Sequence, residues 1–413
     1  MFYNIGMYIF GGLMQTAALF HPKARLWCRG RKGLLKKTAA AIDPARPVIW
    51  FHAASLGEFE QGRQLIEDMR ADYPGHQIVV TFFSPSGYEV RKNYDKADLV
   101  TYLPLDTPRN AKRFVRTLHP EMVIFIKYEY WNNITREIKR NGGKLYIISA
   151  IYREKSVFFR WYGSMYRKIL KRFDHLFVQN ESSRELLATI GIDNVTVCGD
   201  TRFDRVHTIA SGAREIEALK RFAGGRKSIV AGSTWPKDDE ILLKLIVNHG
   251  EEPFIIVPHE IEESKIVRLK EAAEASGRKV VRYTRITDPQ QTEEASVMIV
   301  DTVGILSSVY RYGKIAYIGG GFGVGIHNIL EAATFGLPVI FGPNYRKFQE
   351  ACDLLKLHGA HSISSYTEAE ACLSQLLSDS EELKAETETA QAYIRQHTGA
   401  TRTISEYIAS HRN

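Results

Sequence analysis

Two stretches of this 413-residue chain carry residue types that do chemistry on phosphates and hydroxyls. The first is GGGFGVGIHNILEAATFGLPVIFGP, residues 319–343, with five glycines in seven residues ahead of His327 and Asn328. Glycines let a backbone approach a phosphate closely and present its N–H groups. A helix beginning near His327–Asn328 would add its positive N-terminus. Glu331, about one turn into that helix, is placed to accept hydrogen bonds from both hydroxyls of a ribose. The plainer use of the same residues is a Gly-rich turn with Glu331 complementing the helix dipole. No early strand–Gly-loop–helix accompanies the stretch, so it is not a dinucleotide fingerprint.

The second stretch, ASLGEFEQG, follows the apolar run VIWFHA in the first half. Glu58 is its candidate general base. Ser55 and Glu58 also form the S-x-x-E spacing of a capping box, and spacing alone favours that use. A second carboxylate, Glu129 in KYEYWNN, follows MVIFI. It is placed to bond an acceptor, to orient Glu58, or to pair with a nearby arginine. SPSGYE (84–89) resembles a small anion-binding turn, with Ser84, Ser86 and Gly87 supplying donors. Arg153 is placed for an anionic group, or is simply solvated.

Further turns in the second half agree with the first stretch. Pro258 and His259 end FIIVPHE, where a ring can pack on a base. Val303, Gly304 and Ile305 follow VMIVD. Ser233 and Thr234 follow SIVAG at a helix start, where a hydroxyl can cap the helix or hold phosphate. Capping and packing are the alternative uses at each place.

The elements that would position these residues are legible as apolar runs alternating with amphipathic stretches. In the first half the runs are 48–53, 78–83, 99–103, 122–126, 144–149, 175–179 and 195–199. In the second half they are 228–232, 254–258, 279–283, 297–301, 315–320 and 338–342. Continuous apolar strands separated by helices mean parallel sheets covered on both faces. The fold class expected is therefore α/β, with two Rossmann-like domains and a central cleft. Ligands of such folds bind outside the carboxyl ends of the strands. Expected domains are 41–205 and 206–413, joined by a helical linker at about 201–227. The C-terminal helices are free to pack back on the first domain.

Residues 1–40 form a separate segment. MFYNIGMYIFGGLMQTAALF is largely apolar, and Lys23, Arg25, Arg29, Arg31, Lys32, Lys36 and Lys37 follow before the first acid, Asp43. An apolar stretch with a basic flank reads as a membrane-surface element facing the cytoplasm. Packing of this helix on the body is the alternative. A net charge of +8 suits anionic partners. Aromatics fall mainly within the strand-like runs, which argues against a nucleic-acid stripe. The four scattered cysteines (Cys28, Cys198, Cys352, Cys372) exclude a disulfide scaffold and a CxxC zinc site.

The motifs HAASLGE (52–58), KYEYWNN (127–133), CGDTRFD (198–204), AGSTWPKDDE (231–240), VPHE (257–260), DTVG (301–304) and the 319–343 stretch resemble, in order and spacing, those of bacterial 3-deoxy-D-manno-octulosonic acid (Kdo) transferases. The resemblance covers nearly the whole chain. It implies a GT-B architecture and transfer of Kdo from CMP-Kdo to the lipid A precursor at the cytoplasmic face of the inner membrane of a Gram-negative bacterium. It further implies no metal, no cofactor and no nucleic acid. Glu58 then corresponds to the catalytic base, with Glu129 beside it. Pro258, His259, Val303, Gly304, Ile305, Asn328, Ile329, Leu330 and Glu331 correspond to the CMP contacts. Ser55, Gly57, Ser84, Ser86, Gly87, Ser233, Thr234 and Gly321 are candidate contacts to Kdo or acceptor, and Arg153 and Arg202 are candidates for the Kdo carboxylate. His259 stands where the family often has Arg, and Ile329 where Pro is common. Two rival functions remain at this level: a nucleotide-sugar epimerase or hydrolase of similar fold, and a non-enzymatic basic membrane-binding module.

Overall fold

The computed structural model describes residues 2–411; Met1, Arg412 and Asn413, at the outer ends of the expected first and last segments, lie outside it. The chain forms two compact units. One runs to Arg205 and takes in the segment from Thr398 onward; the other is Val206–His397.

The first unit is built on a seven-stranded parallel sheet. Its strands are β1 (Val48–Ala53), β2 (Gln77–Phe82), β3 (Leu99–Tyr102), β4 (Pro120–Ile126), β5 (Lys144–Ala150), β6 (His175–Val178) and β7 (Val195–Val197). Their order is β3-β2-β1-β4-β5-β6-β7. Every residue of β1 is buried, because helices cover both sheet faces. One layer of core centres on Trp50, Phe114, Phe125 and Leu176, the other on Phe51, Phe59, Phe82 and Phe177. The last helix, Ala400–Ser410, joins the second layer through Ile404 and Ile408. Tyr407 stacks on His175 at 4.0 Å, and the Asp204 carboxylate accepts the N–H groups of Gly399 and Thr401.

The second unit has its own seven-stranded parallel sheet: β8 (Ser228–Thr234), β9 (Phe254–Pro258), β10 (Val280–Arg282), β11 (Val297–Ile299), β12 (Gly313–Ile318), β13 (Val339–Phe341) and β14 (Ala360–Ser362). The order is β10-β11-β9-β8-β12-β13-β14. Two doubly wound α/β units are the expected fold class. The edge strand β14 carries no apolar run and is absent from the sequence reading. The linker region 201–227 holds two helices, Thr201–Ser211 and Glu217–Ala223, rather than one.

The N-terminal segment is helical: Phe2–Phe20, Pro22–Arg31 and Leu34–Ala41. The first helix packs on the body along one edge. Tyr3 donates to Asp106 at 2.6 Å, Asn4 accepts from Asn133 at 2.8 Å, and Phe10 meets Trp27 and Phe83. Its other edge leaves Phe2, Ile9, Leu13, Leu19 and Phe20 exposed. No described helix is long and apolar enough to cross a membrane.

In the second unit the end of β12 touches the end of β8 backbone to backbone. A Cβ on Gly319 would lie 2.2 Å from the Ser233 carbonyl oxygen and 2.6 Å from the Thr234 Cα. Neither atom is a flexible side-chain end. Gly319→Ala should therefore lower the unfolding free energy by about 1–3 kcal/mol, read from denaturant titration.

Candidate active site

In the first sheet β1 has β2 on one side and β4 on the other, so chain crossovers leave in opposite directions at this point. The turns after β1 and β4 are thus exposed at the carboxyl edge. They carry Glu58 and Glu129. After β1 the helix Leu56–Asp72 starts with Ser55 as N-cap, and Glu58 makes the capping box: its Oε2 accepts the Ser55 N–H at 3.0 Å. The cap is real, and it also fixes the carboxylate. Glu58 stands above its ordinary pKa because of burial first and the Glu129 charge second; the Ala54 and Ser55 N–H groups and His52 oppose this. A carboxylate raised toward neutral pH is a better proton acceptor.

Glu129 is held by a buried network. His52 Nε2 lies 2.8 Å from Glu129 Oε2, which also accepts the Trp131 indole N–H at 2.6 Å. The other ring nitrogen of His52 lies 2.8 Å from Thr81 Oγ1. The arginine partner allowed for Glu129 is thus replaced by a histidine and a tryptophan. Lys127, just before this group, has φ +69°. A non-glycine residue in that region is held there by its surroundings, as happens at functional turns.

Burial raises the Tyr128 phenol, with the Arg153 cation opposing and the Glu58 and Asp200 charges adding. Those four side chains therefore share one electrostatic neighbourhood. Arg153 is exposed; Arg202 is bound to Asp200, Nε to Oδ2 at 2.8 Å. Ser84 caps the helix Pro85–Arg91 through the Ser86 N–H, and its own N–H donates to the Ala54 carbonyl, so this turn lies beside the Ser55–Glu58 turn. Gly87 is buried against the Phe82 ring. Gly57 is exposed, and a Cβ there would meet nothing within 4 Å. The fold itself gives no reason for glycine at that position.

In the second unit the comparable point lies at β8, flanked by β9 and β12. Here the expectations need correction. The helix after the Gly-rich turn is only Leu330–Thr334, and Asn328 Oδ1 accepts the Leu330 N–H. It starts later than His327–Asn328, its dipole is small, and Glu331 sits in its first turn. Most N–H groups of the turn are also spent within the protein. Those of Gly319, Gly323, Gly325, Ile326 and His327 bond backbone carbonyls, and Gly320 donates to Asp238. Gly321 is buried with its Cα against the backbone of Gly342, which makes it a packing glycine. Ser233 and Thr234 do not cap the next helix, Pro236–Asn248. Trp235 is its N-cap, and Asp238 accepts the Trp235 N–H at 2.9 Å.

The residues that converge are Trp235, His259 and His327. Trp235 stacks on His259 at 4.6 Å, His259 meets His327 at 4.4 Å, and the Trp235 indole lies 3.0 Å from His327 Nε2. Burial, then the His259 charge, lowers the His327 pKa. Glu331 accepts from the Asn328 amide at 3.1 Å, and burial raises its pKa. Val303 and Gly304 are exposed in the turn after β11, with Gly304 at φ +89°. His52, Trp131, Asp238 and His327 are missing from the sequence reading as site residues. A histidine inside the apolar run VIWFHA was the available signal, since a buried ring needs polar partners. Among the described residues no group of three metal-ligating side chains stands together.

The family model described as 3-deoxy-D-manno-octulosonic-acid transferase (kdotransferase) matches residues 28–205, and one described as polysaccharide pyruvyl transferase matches 127–295. The 3-deoxy-D-manno-octulosonic acid transferase of Aquifex aeolicus is 31% identical over 354 residues, covering 84% of this chain and 90% of that protein. The chain belongs to the 3-deoxy-D-manno-octulosonic acid transferase family. The Rickettsia felis member is 29% identical, covering 91% of this chain and 81% of its own. Among solved structures, the UDP-GlcNAc 2-epimerase from Neisseria meningitidis bound to UDP-GlcNAc is similar with a TM-score of 0.61 at 12% identity, over 88% of this chain and 100% of that one. That likeness shows the fold alone.

As a member of this family the chain is a glycosyltransferase. Its two acidic residues at the first switch point are coupled, and the coupling has a sign. The Glu129 charge raises Glu58, so Glu129→Gln should lower the Glu58 pKa. Side-chain carboxyl NMR titration of Glu58 reads the shift; an unmoved or raised value contradicts it.

Proposed function

We propose that this transferase moves Kdo from CMP-Kdo to a glucosamine hydroxyl of the lipid A precursor, with inversion at the anomeric carbon. The observation that carries the reading is Glu58: a fixed, partly buried carboxylate of raised pKa at the carboxyl edge of the first sheet, in a chain of this family. Glu58 takes the hydroxyl proton as the acceptor oxygen bonds to the anomeric carbon. The bond from that carbon to the phosphate oxygen breaks, and CMP leaves with the electron pair from the opposite face. Glu129, His52 and Trp131 hold the neighbouring charge. Pro258, His259, Val303, Gly304, Ile305 and Asn328 to Glu331 are assigned to CMP. Ser55, Gly57, Ser84, Ser86, Arg153 and Arg202 are assigned to Kdo and acceptor. No metal or cofactor is needed in this scheme. The exposed apolar edge of Phe2–Phe20 and the basic helices after it suit a protein working at the cytoplasmic face of the inner membrane.

The base must be ionised, so transfer should rise with pH through the raised Glu58 pKa and fall away below it. The decisive assay mixes the protein with CMP-Kdo and a tetraacylated lipid A precursor and follows acceptor mass. Gain of Kdo supports the reading. Free Kdo without product points to hydrolysis, and absence of CMP release refutes transfer. Glu58→Gln separates the two roles of this residue, because glutamine at the same helix position still serves a capping box. It should keep stability and CMP affinity while kcat falls by about 10²–10⁴. Gly57→Ala tests close approach of a ligand. The folded chain should be unharmed or about 1 kcal/mol more stable, since alanine suits a helix better, while transfer drops.

A further inference from the structure

The three N-terminal helices and the segment 104–113 of the first unit line an open cavity of about 560 Å³. It follows different chain segments from those that carry Glu58 and Glu129. Its wall includes Arg31, Lys32, Lys36 and Arg113, and no acidic side chain. Lys32, Lys36 and Arg113 form no ion pair among the described residues. Arg113 comes from the helix Pro108–Leu118, PRNAKRFVRTL, which carries four cations and no carboxylate.

Arg31 is the most telling member. Its guanidinium is wedged against the Trp27 ring at 3.7 Å and within 5.0 Å of Phe83 and Tyr102. Among the described residues its hydrogen-bond acceptors are the Trp27 and Phe83 carbonyls. Burial without a carboxylate pulls its pKa down to about 9. Trp27, which lines the cavity, is 7% exposed and forms its back wall beneath the guanidinium. The Arg31 charge, half-buried and paired with no carboxylate among the described residues, is left uncompensated beside the pocket. The helix Leu34–Ala41 also opens on this cavity. Its N-cap is Gly33, which has no side chain to satisfy the first N–H groups. Leu34, Leu35 and Leu105 make the rest of the wall apolar.

We propose that this cavity binds the phosphate headgroup of an anionic lipid, with the lipid's apolar part leaving along the exposed edge of Phe2–Phe20. The inference rests on reading those helices as lipid-facing. The cations and the helix N-terminus fit the phosphate; the leucine wall and the exposed Leu13, Leu19 and Phe20 fit what the phosphate is attached to. It adds Arg113, from a helix remote in sequence, to the basic residues 23–37.

The test is calorimetric titration of the full chain, without CMP-Kdo, using dihexanoyl phosphatidic acid below its micelle concentration and inorganic phosphate as separate probes. Lys36→Ala/Arg113→Ala removes two exposed cations from the cavity. Lys112→Ala/Arg116→Ala removes the same charge from exposed positions of the same helix that do not line it. Melting temperatures check that both variants fold. The short-chain lipid should bind the unaltered chain, the cavity variant should lose roughly tenfold or more in affinity, and the control should change little. Three outcomes overturn the proposal: no binding, equal loss in the control, or inorganic phosphate binding as tightly as the lipid. Transfer is not read, so a chain that transfers nothing leaves this result standing, and a dry cavity leaves the transfer reading standing.

Discussion

A parallel sheet obliges the chain to travel back over one face after every strand, and the face can change only where the strand order reverses. At that reversal two neighbouring turns lose their covering crossover. Both units of this chain have such a place, at β1/β4 and at β8/β12. The backbone is under tension around them: Lys127 after β4, Ser149 near the end of β5 and Ser233 in β8 all have positive φ without being glycine. Both gaps sit among close-packed strands.

The first gap is arranged electrostatically. Two carboxylates stand near each other, and they are not equivalent. Glu129 is matched by His52 and Trp131, while Glu58 is bound by the Ser55 N–H and hydroxyl at a helix start and keeps a raised pKa. Different environments make the two carboxylates inequivalent. In the second gap the aromatic cluster of Trp235, His259 and His327 takes the place that a simple phosphate-binding loop would fill. The glycines there serve mainly to let backbones touch.

The strand runs were legible because buried parallel strands are nearly uniform in hydrophobicity, and VIWFHA became β1 with the same limits. Ala360–Ser362 escaped notice because a three-residue edge strand needs no such run. The helix expected from His327 begins at Leu330, where the Asn328 side chain accepts the first N–H. The Ser55–Glu58 cap was visible from its local spacing. The partners of Glu129 were not, because His52 lies 77 positions away and only the folded sheet brings them together. Local spacing shows where a turn is; it does not show which distant side chain completes it.

The hydrogen bonds that Asp204 accepts from the Gly399 and Thr401 N–H groups join the chain just before it leaves the first unit to the chain just after it returns. The second unit is therefore an insertion within the first. During synthesis the ribosome delivers the whole of that insertion before the last helix emerges. Until then Ile404, Ile408 and Tyr407 are missing from a core layer that also holds Phe59, the residue after Glu58. The first unit is begun early and finished last, so a nascent or truncated chain holds a complete second unit while the helix bearing Glu58 still lacks part of its support.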